Sequence, residues 1–366
     1  MSIDFAAAMR RAALSTRAGN AADATRIIQE ALAGRADAGT LPAPAAPRPR
    51  RPLRQVVKTL RRGRSAFDLL DQGFAEAPPL PEGAQWLARS FAGASGTRGY
   101  RLYVPASASE GLIGLVLMLH GCKQNPDDFA TGTNMNAVAE ANRLLVAYPA
   151  QTGSNNAASC WNWFNPRDQR RDAGEPAILA GLARALAAEF DVPRGAIFAA
   201  GLSAGGAMAA VLGAAYPDVF SAIGVHSGLP VGAANDVVSA FAAMRGEGGL
   251  SPAPGRKTGV GPRTIIFHGT ADRTVHPSNA ELLAASARAP DGTARSERGT
   301  AGGGRAYTRT LIDAPEGGAA VELWMIEAAG HAWAGGHAAG SYTDPRGPDA
   351  SAEMVRFFLS QDAAGS

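Results

Sequence analysis

A serine stands between two glycines near the middle of the chain, in the pattern Gly201, Ser203 and Gly205. An apolar run precedes it at 196–200, and a run of small residues follows at 206–215. A strand, a G-x-S-x-G turn and a helix in that order form a nucleophile elbow, in which glycines let backbone pass close to backbone. We therefore predict that Ser203 is an activated nucleophile, although an alanine-rich chain also produces this pattern by chance.

The predicted nucleophile needs a base, because a serine hydroxyl is a poor nucleophile at neutral pH. Behind a nucleophile elbow, an acid and then a histidine follow along the chain. His331 fits, because it comes after the apolar run 321–326 and before the last predicted helix. His337 is the rival, deeper in the same glycine-rich loop, whereas His226 and His268 end predicted strands and are expected to be structural.

A carboxylate must hold the tautomer of that histidine. Asp272 follows the apolar run 264–267 after a short turn, which places it where a carboxylate can reach the histidine loop. An aspartate at this position could also simply cap the next helix. Asp236 is the alternative, since it too lies between the serine and the histidine, but its surroundings are typical of a helix.

The negative charge that develops on a substrate carbonyl needs two backbone N–H donors. Ala204, directly after the nucleophile, is predicted to supply one. Cys122 is predicted to supply the other, because it lies in a turn after the apolar run 112–119, with Gly121 or Lys123 as alternatives. His120 is expected to support this turn and to border the substrate.

Apolar runs and helical patterns alternate along the chain, which is typical of a parallel, doubly wound α/β sheet. The long loops are expected at 246–262 and 289–304. A hairpin at the sheet edge and six central strands are predicted at 86–91, 100–104, 112–119, 144–148, 196–200, 222–225, 264–267 and 321–326. Helices are predicted at 135–142, 176–190, 204–215, 279–287 and 350–359.

The first part of the chain differs in composition from the rest. Residues 1–35 are predicted to form a helical hairpin, residues 36–80 a Pro- and Arg-rich linker, and residues 81–366 the α/β domain. Residues 1–64 carry 13 basic and 4 acidic side chains, although the whole chain has a formal net charge of only +3. This basic extension could contact an acidic partner or surface, but it lacks the interleaved aromatic residues of a single-stranded nucleic-acid binder.

Composition also bears on membranes, compartment and redox state. No run reaches the roughly 18 apolar residues of a membrane-spanning helix, and no apolar segment follows the N-terminal arginines as in a secretory signal. A cytoplasmic location is therefore expected. The two cysteines, Cys122 and Cys160, could be free thiols or one disulfide, and the residues alone leave both open.

Five separated motifs together carry a family resemblance. They are LHGCKQNPDDF at 119–129, SCWNWF at 159–164, AGLSAGGAM at 200–208, HGTAD at 268–272 and GHAW at 330–333. Over roughly residues 80–360 the chain resembles the short-chain poly(3-hydroxyalkanoate) depolymerase esterases, including poly(3-hydroxybutyrate) depolymerases, which are related to feruloyl and acetyl xylan esterases.

The resemblance implies an α/β-hydrolase fold and ester hydrolysis without a metal or organic cofactor. It assigns the catalytic triad to Ser203, Asp272 and His331 and implies that Cys122 pairs with Cys160 in a disulfide. Members that degrade polymer outside the cell carry a secretion signal, so the resemblance and the sequence favour different compartments.

Aromatic residues cluster in the loops near the predicted site. Trp161 and Trp333 are predicted to bind substrate, while Trp163 is expected to roof the core, with Phe164 beside it. The leading hypothesis is a serine esterase that acts on oligomeric or polymeric hydroxyalkanoates. The alternatives are a feruloyl or acetyl esterase acting on polysaccharide, a non-catalytic binding protein with the same fold, and a surface protein that uses the basic extension as an arm.

Overall fold

The computed structural model describes residues 80–247, 262–287, 292–313 and 319–360, together with Arg11, Ser15 and Ile27. The chain divides into two compact units, residues 1–73 and 74–366. The predicted hairpin at 1–35 and linker at 36–80 lie almost entirely outside the described residues, as does most of the predicted loop at 246–262.

Within the described residues, ten strands form one sheet with the order β1-β2-β4-β3-β5-β6-β7-β10-β9-β8. The strands from β4 to β10 in this order are parallel, and an antiparallel pair flanks them at each edge. The ten strands are β1 (Gln85–Gly93), β2 (Gly96–Val104), β3 (Gly114–Leu119), β4 (Leu144–Pro149), β5 (Ile197–Leu202), β6 (Ala222–His226), β7 (Arg263–Gly269), β8 (Ala294–Thr300), β9 (Ala306–Asp313) and β10 (Ala319–Ile326). Two short strands, β11 (Trp333–Ala334) and β12 (Thr343–Asp344), pair separately.

Helices connect the parallel strands. Helix α4 directly follows β5, so the serine lies between them as predicted. The α-helices among the described residues are α1 (Pro126–Thr133), α2 (Met135–Ala141), α3 (Gly174–Glu189), α4 (Ala204–Ala215), α5 (Val237–Met244), α6 (Ser278–Ala287) and α7 (Ala350–Leu359). None of the helices that the structure describes is long and apolar enough to cross a membrane.

The continuous apolar runs correspond to strands that are covered on both faces. In β3, Leu115 and Leu117 pack in one hydrophobic cluster, and Val116 and Met118 pack in the cluster on the opposite face of the sheet. Side chains alternate between the faces of a strand, so a strand buried on both faces has no polar alternation. The structure therefore confirms the α/β-hydrolase fold class.

The prediction of a surface loop at 289–304 was wrong for residues 294–300. These residues form β8, which pairs antiparallel with β9, and β9 in turn extends the sheet beyond β10. The sequence of β8 is ARSERGT, and six of its seven residues are exposed. An edge strand with this exposure needs no apolar face, so it carries none of the periodicity from which strands are predicted.

Candidate active site

Ser203 occupies a tight turn between β5 and α4. Its backbone has φ 58° and ψ −121°, a region that costs a non-glycine residue free energy unless neighbouring structure holds it. The Ser203 N–H donates to the backbone oxygen of His226 at 2.9 Å, which supplies part of that support. A Cβ atom on Gly205 would collide with the backbone oxygens of Leu119 and His120, so only glycine lets the turn pack against β3.

His331 and Asp272 meet at the carboxyl ends of neighbouring parallel strands. The His331 Nδ1 lies 2.7 Å from Asp272 Oδ2. Gly269, at the end of β7, permits this approach, because a Cβ atom there would collide with the backbone of Ala329 and Gly330 in the histidine loop.

The surroundings of Asp272 keep its carboxylate ionised. Its Oδ1 accepts the backbone N–H groups of Thr274 and Val275 at 2.8 and 2.9 Å. Burial raises the pKa of this carboxyl, but the hydrogen bond and the charge of His331 and the loop amide outweigh burial, so its pKa lies below the ordinary value. An ionised Asp272 accepts from Nδ1–H of His331, and the neutral ring then keeps Nε2 free to accept a proton.

The two alternative site residues lie elsewhere. The Asp236 carboxylate is exposed and accepts the Ser239 N–H at 2.7 Å as the N-cap of α5. The ring of His337 is exposed, and its Nδ1 accepts the backbone N–H of Ala339 at 3.2 Å. Both therefore have local structural roles.

The turn after β3 borders Ser203. A Cβ atom built on Gly121 would lie 3.7 Å from the Cβ of Ser203. The Gly121 N–H donates to Gln124 Oε1 at 2.9 Å, so this amide is already engaged. The amides of Cys122 and Ala204 donate to no other residue that the structure describes. The geometry thus favours Cys122 over the Gly121 alternative as the second oxyanion donor.

His120 supports this turn from inside the protein. Its Nδ1–H donates to the Gly121 oxygen at 2.7 Å, and its Nε2 accepts the Gln151 N–H at 3.0 Å. Burial lowers the pKa of His120 to about 4, so the ring is neutral near pH 7. With 1% of its surface exposed, His120 is placed to hold the turn, and its burial argues against the predicted contact with substrate.

Trp161 and Trp333 are also buried, with 0% and 1% of their surfaces exposed. The indole N–H of Trp161 donates to the His120 oxygen at 2.9 Å, and that of Trp333 donates to Ser351 Oγ at 3.1 Å. Both rings face the core and fix the loops that carry them, so their burial, like that of His120, argues against the predicted contact with substrate. Trp163 is buried as expected.

Cys122 and Cys160 form a disulfide, with their Cα atoms 4.3 Å apart. The bond joins the turn after β3 to the segment that carries Trp161. Of the two states that the residues left open, the structure shows the oxidised one, in agreement with the pairing that the resemblance implied.

Sequence reasoning missed the connecting role of His226. Its backbone oxygen accepts from Ser203, and its Nε2 accepts the Ala334 N–H at 3.0 Å, so one residue links the nucleophile turn to the histidine loop. The pKa of His226 is lowered to about 3, mainly by burial and to a smaller extent by the neighbouring histidines. Its position at the end of a strand was visible in the sequence, but its partner 108 residues away was not.

Comparisons with known proteins identify the family of the chain. The profile of the family described as Esterase PHB depolymerase matches residues 98–306. Poly(3-hydroxyalkanoate) depolymerase C of Paucimonas lemoignei is 33% identical over 45% of this chain and 42% of its own length. Poly(3-hydroxybutyrate) depolymerase of Ralstonia pickettii is 31% identical over 69% of this chain and 54% of its own.

More distant relatives include probable acetylxylan esterase A of Aspergillus fumigatus, which is 28% identical over 50% of this chain and 53% of its own. The chain thus spans about half the length of these curated relatives. Among solved structures, the acetyl xylan esterase from Aspergillus awamori shares the fold, with a TM-score of 0.54 and 20% identity over 68% of this chain and 93% of its own. Because the family profile matches more than half of its residues, the chain belongs to the Esterase PHB depolymerase family.

Proposed function

We propose that the protein is a serine esterase that hydrolyses esters of hydroxyalkanoic acids through an acyl-enzyme. The observation that carries this proposal is the hydrogen bond between His331 Nδ1 and a buried, ionised Asp272. It lies at the same edge of the sheet as the strained turn of Ser203. Such a histidine is oriented for general base catalysis, and a strained serine turn exposes a nucleophile.

The proposed reaction begins when Ser203 Oγ attacks the ester carbonyl carbon and His331 Nε2 takes the hydroxyl proton. The carbonyl oxygen becomes an oxyanion, which accepts hydrogen bonds from the Cys122 and Ala204 amides. Collapse of this intermediate breaks the bond to the alcohol oxygen, which receives its proton from His331. Water then attacks the acyl-enzyme with His331 again as base, and the acid leaves as Ser203 regains its proton.

Hydroxyalkanoate esters are favoured as substrates because two relatives above 30% identity are named poly(3-hydroxyalkanoate) and poly(3-hydroxybutyrate) depolymerases. A second candidate is acetyl ester hydrolysis on polysaccharide, which the relatives named acetylxylan esterase A support. Contact between the basic extension and an acidic surface stays a prediction.

The experiment compares wild type, Ser203→Ala and the exposed-serine control Ser154→Ala. The substrates are hydroxybutyrate oligomers, the polymer, acetylated xylan and methyl ferulate, and a fluorophosphonate probe reports the nucleophile. We expect Ser203→Ala to lose about 10⁴-fold or more in kcat and all labelling, while Ser154→Ala retains both.

Retained hydrolysis in Ser203→Ala would refute the proposed nucleophile. Absence of labelling in wild type would favour the non-catalytic alternative. Higher kcat/KM on acetylated xylan or methyl ferulate than on hydroxybutyrate oligomers would shift the substrate class without changing the chemistry.

A further inference from the structure

A buried polar cluster lies behind the turn that carries Cys122. Arg98, Gln151 and Glu175 are only 4%, 3% and 5% exposed. An Arg98 Nη2 lies 3.5 Å from Glu175 Oε1, so the two charges compensate each other. The reaction proposed above uses none of these three side chains, yet burying polar groups costs free energy unless their partners satisfy them.

Gln151 is the residue through which this cluster reaches the turn. Its backbone N–H donates to His120 Nε2 at 3.0 Å. Its side-chain Nε2 donates to the backbone oxygen of Cys160 at 2.9 Å and also to Glu175, and its Oε1 accepts from Arg98. Gln151 thus makes four hydrogen bonds with three polar groups, which commit its side chain to one orientation.

The contact with His120 bears on the direction of the Cys122 amide. Because Gln151 occupies Nε2 as an acceptor, the neutral ring carries its proton on Nδ1 and donates to the Gly121 oxygen. That oxygen and the Cys122 N–H belong to one planar trans peptide and point in opposite directions. Because the Gly121 oxygen is held towards His120, the Cys122 N–H is held pointing away from His120.

Gln151 also holds the other end of the disulfide. Cys160 is bonded to Cys122. The Gln151 side chain donates a hydrogen bond to the Cys160 carbonyl, which restricts the movement of that carbonyl. Two residues further along, the Asn162 N–H donates to Glu175 Oε2 at 2.8 Å. The cluster thus contacts both chain segments that the disulfide joins.

We propose that the side chain of Gln151 is a positioning group of the oxyanion hole, which supports the Cys122 amide through the Cys160 carbonyl and the disulfide, while the backbone N–H of Gln151 supports the same amide through His120. This inference rests on the proposed esterase function. Gln151 acts through its neighbours and does not touch the substrate.

The test replaces Gln151 with methionine, which has a similar length, removes the side-chain hydrogen bonds to Cys160, Glu175 and Arg98, and keeps the backbone N–H that donates to His120. This change leaves the Arg98 and Glu175 pair in place, whereas replacing either charge would leave the other buried and unpaired. Gln169→Met is the matched control. Gln169 is another buried glutamine, and it loses two comparable hydrogen bonds, to the Ala234 oxygen at 2.8 Å and from the Gly232 N–H at 3.0 Å.

Three quantities are measured for each folded variant: kcat and KM on a short hydroxybutyrate ester, and the inhibition constant of an alkyl trifluoromethyl ketone, whose adduct places an oxyanion in the hole. We expect Gln151→Met to lose about tenfold in kcat, a part of the 10²–10³ that loss of a whole donor costs. Affinity for the ketone should fall by a similar factor while KM changes less than about twofold. Gln169→Met should lose stability but keep kcat and ketone affinity.

Gln151→Met with kcat and ketone affinity like those of Gln169→Met would overturn the proposal and leave Gln151 a structural residue. Loss of kcat with unchanged ketone affinity would overturn it as well. If Gln151→Met does not fold, Gln151→Ala leaves room for water beside the charged pair, and the same criteria apply to it. Failure of the esterase proposal itself shows separately, as wild-type protein that the fluorophosphonate does not label.

Discussion

Removal of the disulfide separates its contribution to stability from its contribution to catalysis. Cys122 and Cys160 are 38 residues apart in the chain. In the chain-entropy model, a cross-link that closes a loop of this length stabilises the folded state by roughly 4 kcal/mol at 25 °C, because it restricts the unfolded chain. The variant Cys122→Ala/Cys160→Ala should therefore lose about that much free energy of unfolding.

Activity should respond much less than stability. The alanine at 122 keeps its backbone N–H, and His120 still holds the Gly121 oxygen at 2.7 Å. The Gln151 side chain still donates to the Cys160 carbonyl, but without the disulfide this contact no longer reaches residue 122. We therefore expect kcat at 25 °C to fall by about tenfold, as in Gln151→Met, well short of the 10²–10³ for a lost donor.

The assay is urea unfolding followed by tryptophan fluorescence, with kcat measured on the same preparations. Wild type reduced with dithiothreitol is the matched control, because it opens the bond without changing a residue. A stability loss below about 1 kcal/mol would show that the loop-entropy reasoning does not apply here. A fall in kcat above about 10²-fold would show that the disulfide itself, and not the hydrogen bonds around His120, holds the donor.

Two further substitutions test the triad and the turn. Asp272→Asn should lose about 10⁴-fold in kcat/KM on an activated ester: two loop amides keep the asparagine oxygen at the Oδ1 position, so its NH2 faces His331 and selects the wrong tautomer. Activity within tenfold of wild type would contradict this role. Gly205→Ala should cost about 3 kcal/mol or more in urea unfolding, because its Cβ would collide with the Leu119 oxygen, whereas Gly153→Ala has open space and should change stability little. Equal stability of the two variants would refute the packing argument.

The fold was predictable because most of its strands are buried on both faces. Each of the eight predicted runs overlaps a strand, and the order of serine, acid and histidine followed from the strand that each one succeeds. The roles of Ser203, Asp272 and His331 stay predictions, while the contact between the last two is now on a structural footing. Strand β8 was not predicted, because backbone pairing with β9 holds this exposed edge strand. Such pairing produces no pattern in the side chains of β8.

Side-chain direction was much less predictable than position along the chain. Trp333 is two residues from His331, and its place in the sequence suggested contact with substrate. The structure turns its ring inward, where it stacks on His226 with ring centroids 5.1 Å apart. Trp333 lies in the two-residue strand β11, which is too short to show a periodicity in the sequence. Proximity to a predicted catalytic residue therefore does not tell which way a ring points.

Polar connections over long sequence separations were also beyond pattern reasoning. Gln151 lies three residues after the predicted strand 144–148, and nothing in its neighbours indicates that it contacts a histidine 31 residues earlier. A buried glutamine becomes informative only when its partners are known, because its hydrogen-bonding groups can serve many arrangements.

Two buried histidines hold the proposed site by the same physical means. His226 accepts from the backbone N–H of Ala334, and His120 accepts from that of Gln151, so each needs an unprotonated Nε2. Burial lowers the pKa values of the two rings to about 3 and about 4, so both rings are neutral near pH 7. The framework around the proposed nucleophile and oxyanion donor therefore keeps both of its histidine acceptors near neutral pH. Desolvation costs free energy at each ring because it disfavours the protonated form. For the same reason it keeps each Nε2 unprotonated and able to accept the backbone N–H.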